Sequence, residues 1–373
     1  MPIRVVIPKE TKAGECRVAL VPGMVAKLKS LGVDLALQSE AGLPSYFPDE
    51  RYDVEVVQGE VYAQADVVLH VQMPSLAAID QMKPGTLLIC FAQAHLHTEE
   101  IKRLQTQNIT CYAMEMIPRI SRAQSMDALS SQASVAGYKA ALMAAGLTGR
   151  FFPMLTTAAG TIRPSKALII GAGVAGLQAI ATCRRLGAIV EGYDVRQATK
   201  EQVESLGAKF VELALDAETD GGYARELTEA EKAEAEALLA THVAQANAVI
   251  TTAAIPGKPS PKLITQAMVE AMVPGSVIID LAAEGGGNCE LTQPGEQINH
   301  QGVIIYGPLN VPSLLPIDAS EMYAKNVFNL LSLLITDGEI KLDWDDEIVA
   351  SALTHAGEIR HEATKQRIQG GVS

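Results

Sequence analysis

The sequence is poor in aromatic residues and lacks any excess of positive charge. Phe, Trp and Tyr make up 4% of the 373 residues, and 30 Lys and Arg stand against 43 Asp and Glu, which leaves a net charge of −13. Binding to the phosphates of nucleic acid depends on clustered Lys and Arg, and the sequence contains no basic stripe. The charge balance therefore argues against a nucleic acid partner.

Cysteine is scarce as well, and the cysteines lie far apart. Without a CxxC pair they predict reduced thiols in a cytosolic protein; they are Cys16, Cys90, Cys111, Cys183 and Cys289. The seven histidines form no HxxxH or His/Cys cluster, so we expect structural roles for them and no metal site. Asp280 and Glu284 could form a carboxylate pair, but no further ligands accompany them at metal spacing. We therefore interpret them as a strand-end loop residue and a hydrogen-bonding group of the loop.

Long apolar runs are absent. No stretch reaches the roughly 18 apolar residues that a membrane-spanning helix needs, and "VFNLLSLLI" is too short. The start, "MPIRVVIPKE", becomes charged too early for a signal peptide. These absences predict a soluble protein, which does not prevent docking onto a membrane protein.

What the chain does contain is an alternation of short apolar runs with helical patterns. "RVVIP", "DLALQ", "DVVLHV" and "TLLICF" are strand-like, with room for a helix or loop between them. This alternation predicts βαβ units with parallel sheets. Because the chain is too long for one ordinary core, we predict an α/β fold of two Rossmann-like, doubly wound parallel-sheet domains separated by a cleft. The predicted domains are 1–136 plus about 318–373, and 137–317.

Two helices bear on this organisation. An Ala-rich helix around "GYKAALMAAG" is expected after a polar stretch, "PRISRAQSMDALSSQAS", that runs from Pro118 to Ser134. The segment "EMYAKNVFNLLSLLI" predicts a long amphipathic helix whose apolar residues at 323–335 would serve either the core or a subunit interface.

A glycine motif marks the start of the second domain. "ALIIGAGVAG" places Gly171, Gly173 and Gly176 in GxGxxG spacing between an apolar strand and an Ala-rich helix, and the next strand ends in Asp194. The glycines permit a tight turn, close approach of a pyrophosphate and close helix–strand packing, while the acidic residue would bind the ribose hydroxyls. The motif predicts dinucleotide binding. The carboxylate favours NAD over NADP, although the adjacent Arg196 leaves both open.

Further strand ends of this domain extend the predicted cofactor site. "AVITTAAIPGKP" and "SVIIDLAAEGGGNCE" would contribute loops after their strands, and "TDGGYARELT" would supply a mobile flap. Ordinary β–α turns and an exposed loop remain the alternatives. The predicted cofactor-binding residues are Gly171, Ala172, Gly173, Val174, Ala175, Gly176, Asp194, Val195, Arg196, Gly222, Tyr223, Ala253 and Leu281.

Several segments together resemble a known family. "IPKETKAGECRVALVP", "PRISRAQSMDALSSQAS", "GAGVAGLQAIATCRRLGA" and "GSVIIDLAAEGGGNCELTQPGE" occur in order, and the chain resembles the NAD(H)-binding alpha component of proton-translocating NAD(P) transhydrogenases. The resemblance implies direct hydride transfer from NADH to NADP⁺, with NADP(H) held by a beta subunit. It further implies a membrane-spanning subunit that couples transfer to proton movement, a homodimer, and a cytoplasmic location peripheral to the inner membrane. Since the chain up to Ser373 has no membrane segment, the split, soluble alpha form is expected.

The same resemblance assigns roles within the polar stretch. Arg119 would bind the pyrophosphate or ribose, Asp127 and Ser130 would bond near the nicotinamide carboxamide and ribose, and Gln124 would reach toward the incoming NADP. We therefore name Arg119, Gln124, Asp127 and Ser130 as candidate catalytic residues. Relatives often have asparagine where this chain has Ser134, which leaves that contact unassigned, as is the role of Arg122.

The related alanine dehydrogenases are the alternative. Oxidation of an amine moves a proton as well as a hydride and needs an acid/base group. Where those enzymes have a lysine and a histidine, this chain has Gln72 and Gln93, with His95 two residues further on. Arg17 remains of the substrate-binding set, as a structural or inherited polar contact. A non-catalytic NAD sensor would explain the glycine motif but would leave the polar stretch without a purpose.

Overall fold

The computed structural model describes residues 2–212, 228–254 and 257–370. The chain divides into two compact units, Met1–Gln132 with Ser313–Ser373, and Ala133–Pro312. The predicted flap residues Gly222 and Tyr223 lie outside the described residues. Among the helices of the described ranges, none is both long enough and apolar enough to cross a membrane.

The strands are short and mostly buried, as expected for sheets covered on both faces. In chain order they are β1 (Arg4–Ile7), β2 (Asp34–Gln38), β3 (Glu55–Val57), β4 (Val67–Gln72), β5 (Leu87–Phe91), β6 (Thr110–Ala113), β7 (Leu155–Thr157), β8 (Gly160–Ile162), β9 (Lys166–Ile170), β10 (Ile189–Tyr193), β11 (Lys209–Phe210), β12 (Ala248–Thr251), β13 (Val277–Asp280), β14 (Gln297–His300), β15 (Val303–Tyr306), β16 (Ile335–Thr336), β17 (Glu339–Ile340), β18 (Thr354–His355) and β19 (Glu358–Ile359).

The helices connect these strands and cover the sheets. They are α1 (Val25–Lys29), α2 (Leu76–Asp80), α3 (Thr98–Thr106), α4 (Ala128–Leu147), α5 (Val174–Arg185), α6 (Lys200–Ser205), α7 (Glu229–Gln245), α8 (Gln266–Glu270), α9 (Pro316–Leu334), α10 (Glu347–Ala350) and α11 (Glu362–Gln369).

The first unit is built on a sheet with the strand order β19-β18-β6-β5-β4-β1-β2-β3. From β6 to β3 neighbouring strands run parallel, and β18 joins β6 antiparallel. The parallel part has the order 3-2-1-4-5-6 typical of dinucleotide-binding folds, in which ligands bind beyond the strand ends where the order reverses. Here the order reverses between β1 and β4.

Helix α9 belongs to the core of this unit. Tyr323, Val327, Leu330, Leu331 and Leu334 are buried in the apolar cluster on one face of the sheet. Two roles were considered for the apolar residues of this helix, the core and a subunit interface. Packing in the core explains why these residues are buried.

The second unit repeats the same topology. Its sheet has the order β11-β10-β9-β12-β13-β15-β14, with β14 antiparallel at the edge and the other neighbours parallel. Apolar residues from both faces of these strands form two clusters, one with α4 and α5 and one with α7 and α8. The predicted class, α/β with two Rossmann-like parallel-sheet domains, is confirmed.

Helix α4 begins earlier than the sequence indicated. We expected it after Ser134, but the helix starts at Ala128, inside the polar stretch. Asp127 precedes it and accepts a hydrogen bond from the backbone N–H of Ser130 at 2.8 Å, which is the geometry of a helix N-cap. The many hydroxyl-bearing residues of the stretch suggested a loop. Because Asp127 caps the helix, the hydroxyl-bearing residues that follow it lie instead in the first turns of α4.

Candidate functional site

The glycine motif forms a tight turn between β9 and α5. Gly171 has φ +97°, a conformation that favours glycine. A Cβ on Gly176 would lie 1.8 Å from the carbonyl oxygen of Gly171, so the third glycine is required by the packing of the turn. A Cβ on Gly173, by contrast, would meet no atom of the described residues within 4 Å. The first and third glycines therefore shape the turn, and the second leaves open space beside it.

That open space fits a pyrophosphate. Helix α5 begins at Val174 directly after Gly173, and no side chain caps its N-terminus. The first turn of a helix presents N–H groups and a partial positive charge to an anion. Ala172, Val174 and Ala175, which complete the predicted motif, lie in this turn and the start of the helix. The geometry can hold the phosphates of a dinucleotide.

Asp194 lies beside the glycine turn, directly after β10. Its carboxylate accepts hydrogen bonds from the backbone N–H of Ala172 at 2.8 Å and from the backbone N–H of Arg196 at 2.9 Å. The Arg196 guanidinium adds two bonds, from Nε at 2.9 Å and Nη2 at 2.8 Å. Val195 connects the two residues and is half-buried. The carboxylate therefore orders the turn, and a ribose hydroxyl would compete with Arg196 for it.

The loop after β12 is tied to the same turn. The Thr252 hydroxyl donates to the carbonyl of Gly171 at 3.0 Å. Asn288 then fixes Ala253 from both sides, accepting from its N–H at 3.1 Å and donating to its carbonyl at 2.7 Å. Leu281 follows the neighbouring strand β13. Because the carboxyl ends of adjacent parallel strands meet at one edge, these predicted residues lie together. Thr252 and Asn288 were not predicted.

Asp280 organises the loop after β13. The fully buried carboxylate accepts hydrogen bonds from the hydroxyls of Thr251 at 2.9 Å and Thr292 at 2.6 Å. The backbone N–H groups of Ala282 and Cys289 add bonds of 3.1 Å and 3.0 Å. Asp280 is thus the last residue of β13, and its carboxylate holds the loop that follows.

Glu284 has a similar structural role. Its carboxylate accepts a hydrogen bond from the backbone N–H of Asn310 at 2.8 Å. In the described part of the chain, no group of three or more His, Cys, Asp or Glu side chains is placed to hold a metal ion. The cysteines of this part are free thiols.

Up to Gln132 the polar stretch belongs to the first unit, and its predicted residues divide into two pairs. Arg119 and Gln124 are exposed, before and within a 3₁₀ helix at Ser121–Met126. Asp127 and Ser130 contact each other, because the Ser130 hydroxyl donates to the Asp127 carboxylate at 2.6 Å. The structure therefore offers two exposed side chains and one preformed Asp–Ser pair at the start of α4.

Arg122 forms an ion pair with a residue near the C-terminus. Its guanidinium donates two hydrogen bonds to the carboxylate of Asp346, at 2.5 and 2.7 Å. Asp346 also caps α10 through the N–H of Ile348. Arg122 therefore attaches the polar stretch to the C-terminal segment, although an exposed ion pair of this kind contributes little stability.

A buried polar cluster lies where the strand order of the first unit reverses. Glu15 and Arg17 form an ion pair with bonds of 2.8 and 2.6 Å between side chains that are 0% and 4% exposed. The Gln72 amide donates to Glu15 at 2.8 Å, the Gln132 carbonyl accepts from Arg17 at 2.8 Å, and Ser313 donates to Glu15 at 2.9 Å. Arg17 is a structural residue here.

The electrostatics of the cluster follow from these bonds. Burial alone would raise the pKa of Glu15, but the hydrogen bonds and charge of Arg17, together with the bond from Gln72, lower it to about 2. Glu15 is therefore ionised across the physiological range. Neither Gln72 nor this carboxylate can donate a proton to a substrate at neutral pH.

Gln93, which stands where alanine dehydrogenases are expected to have a histidine, is part of a turn. Gln93 has φ +42°, and its backbone N–H donates to the carboxylate of Glu115 at 2.6 Å. Burial raises the pKa of Glu115, although backbone hydrogen bonds partly oppose this. His95 is exposed.

Comparisons with known proteins agree with this architecture. Two family profiles match, the alanine dehydrogenase/PNT N-terminal domain over residues 6–136 and the C-terminal domain over 140–362. The first of the polypeptides that make up NAD(P) transhydrogenase subunit alpha in Rhodospirillum rubrum is 45% identical over 97% of this chain and 98% of its own length.

Solved structures give the same result. The transhydrogenase of Sinorhizobium meliloti superposes with a TM-score of 0.86 and 43% identity over 96% of this chain and 99% of that one. An L-alanine dehydrogenase superposes with a TM-score of 0.81 and 25% identity over both chains in full. The chain therefore belongs to the alanine dehydrogenase/PNT family, as a homologue of the NAD(P) transhydrogenase alpha subunits.

Proposed function

We propose that this chain is the NAD(H)-binding component of a proton-translocating NAD(P) transhydrogenase. NADH bound to the second unit would transfer a hydride from its C4 directly to C4 of NADP⁺ held by a separate beta subunit, leaving NAD⁺ here and NADPH on the partner. The observation that carries the proposal is the state of Gln72. By the resemblance to alanine dehydrogenases, Gln72 stands where a lysine is expected, and its amide donates a hydrogen bond to Glu15 at 2.8 Å.

The chemistry explains why such a replacement is compatible with activity. Hydride exchange between two nicotinamides moves no proton at the reacting carbons, so the protein has to align the rings rather than supply an acid or base. Amino-acid oxidation does require a proton carrier. The loss of the lysine and histidine therefore favours transhydrogenation over alanine oxidation.

Some residues of the chain would then bind NAD(H), and others would align its nicotinamide with that of NADP⁺. The glycine turn and the N-terminus of α5 would bind the pyrophosphate, and Asp194 would select NAD(H) by disfavouring a 2′-phosphate. We assign Arg119 to the pyrophosphate or ribose, and the Asp127–Ser130 pair to the nicotinamide end. Gln124, which is exposed, would reach toward the incoming NADP.

The partners follow from the same assignment. The chain would act only with an NADP(H)-binding beta subunit and with a membrane-spanning subunit that couples hydride transfer to proton movement. We further propose a homodimer at the cytoplasmic face of the inner membrane, held there by its partners.

Reconstitution tests this function. Purified chain mixed with the NADP-binding subunit is expected to reduce an NADP analogue rapidly with NADH, and the chain alone is expected to leave the analogue unreduced. As a control, NAD⁺ and L-alanine are supplied to the chain alone. Steady oxidation of alanine, or no transfer in the mixture, would contradict the proposal.

A further inference from the structure

The 3₁₀ helix that carries Gln124 is held from a distant part of the chain. The side-chain amides of Asn326 and Asn329, three residues apart on α9, both donate to the backbone carbonyl of Ser125 at 2.9 Å. Residues three apart on a helix lie on one face, so the two amides converge on one acceptor. A carbonyl oxygen has two lone pairs, and here each receives one amide.

This carbonyl lies near the end of the 3₁₀ helix. A helix end leaves its last carbonyls without partners inside the helix, and the 3₁₀ helix ends at Met126. The carbonyl of Gln124 accepts from the N–H of Asp127 at 3.3 Å. Holding the carbonyl of Ser125 fixes the peptide plane between Gln124 and Asp127, the two side chains assigned to opposite nucleotides.

Asn326 also reaches the start of α4. Its carbonyl oxygen accepts a hydrogen bond from the Ser131 hydroxyl at 2.7 Å. One side chain therefore connects the 3₁₀ helix to the helix that carries Ser130. Asn326 is 7% exposed, on a face of α9 whose other buried residues, apart from Ser320, are apolar or aromatic. A buried amide is costly unless it is hydrogen-bonded, and both of its polar atoms have partners in the polar stretch.

We propose that Asn326 and Asn329 are positioning residues for hydride transfer, which hold the backbone between Gln124 and Asp127 in the orientation that aligns the two nicotinamides. This inference rests on the proposed function. It assigns to α9 a task beyond its apolar packing, since the same helix turns its apolar face to the core and its two amides to the polar stretch.

Isosteric substitutions test the inference. Asn326→Asp keeps the acceptor for Ser131 but sets a carboxylate oxygen against the carbonyl of Ser125. We expect kcat for hydride transfer in the reconstituted complex to fall about tenfold or more, because small misplacements of reacting groups are costly. The KM for NADH should change less than about twofold, since the phosphate-binding turn is untouched. Asn329→Asp is the second variant. Because Asn329 is only half-buried, we expect this variant to fold even if Asn326→Asp does not, which keeps the inference testable.

The matched control is Asn108→Asp. Asn108 is exposed and has φ +57°, a conformation that asparagine and aspartate both tolerate. Hydrogen exchange of the 121–130 peptide, followed by mass spectrometry, should accelerate in the Asn326 and Asn329 variants and stay unchanged in the control. Normal kcat in both variants, with an active wild-type complex, would overturn the inference alone. No transfer by the wild-type complex would overturn the proposed function and this inference with it.

Discussion

Replacement of Gly173 by alanine is expected to raise the dissociation constant for NADH at least about tenfold, or about 1.4 kcal/mol, without unfolding the protein. The added methyl group would lie more than 4 Å from every atom of the residues that the structure describes, so it would enter the space that we assign to the pyrophosphate. The backbone of Gly173, at φ −77° and ψ −169°, is accessible to alanine. Loss of a glycine N-cap should change stability by less than about 1 kcal/mol.

Gly176→Ala is the matched comparison within the same motif. Its Cβ would lie 1.8 Å from a backbone oxygen, which a side-chain rearrangement cannot relieve. We expect a loss of about 3 kcal/mol in the free energy of unfolding together with weaker NADH binding. Urea denaturation and fluorescence titration with NADH measure the two quantities. Equal NADH affinity in wild type and the Gly173 variant would contradict the assignment of the pyrophosphate.

The second large effect is expected at the buried ion pair of the first unit. Glu15→Gln should lower the free energy of unfolding by about 3 kcal/mol or more, because the substitution leaves the charge of Arg17 buried without its partner. Glu40→Gln is the control, since it removes the carboxylate of another ion pair, Lys9–Glu40, whose side chains are 41% and 59% exposed. That variant should unfold like the wild type.

The pH dependence of this difference has a definite sign. The pKa of Glu15 is about 2 in the folded protein and 4.5 ordinarily. Its stabilising contribution is therefore fully present above pH 4.5 and is lost as the pH falls toward 2. The unfolding free energies of wild type and Glu15→Gln should converge over this range. A difference that stays constant down to pH 3 would indicate that the carboxylate is not held by Arg17.

The fold and the family could be predicted from the sequence because the patterns that indicate them are formed by residues close together in the chain. Alternating apolar runs predict the parallel strands, and the glycine motif is contiguous from Gly171 to Gly176. The turn geometry then follows from the steric demands of single residues, such as the positive φ of Gly171.

The remaining parts of the site depend on contacts between distant residues. Arg122 could not be assigned because Asp346 lies 224 residues further along the chain, and Asn326 lies 201 residues from Ser125. The periodicity of α9 predicts an apolar face but does not show which element its amides reach. Likewise, Glu15 and Gln72 come together only because β1 and β4 are neighbours in the sheet.

In the proposed reaction the hydride passes directly between the two nicotinamides without exchange with solvent. The most direct measurement uses NADH with deuterium at the transferred C4 position, the reconstituted complex and NADP⁺, with the products analysed by mass spectrometry. We expect the deuterium to appear in full at C4 of NADPH and the isotope to slow the transfer step. Deuterium released to water, or NADPH formed without it, would show that the hydride is not transferred directly.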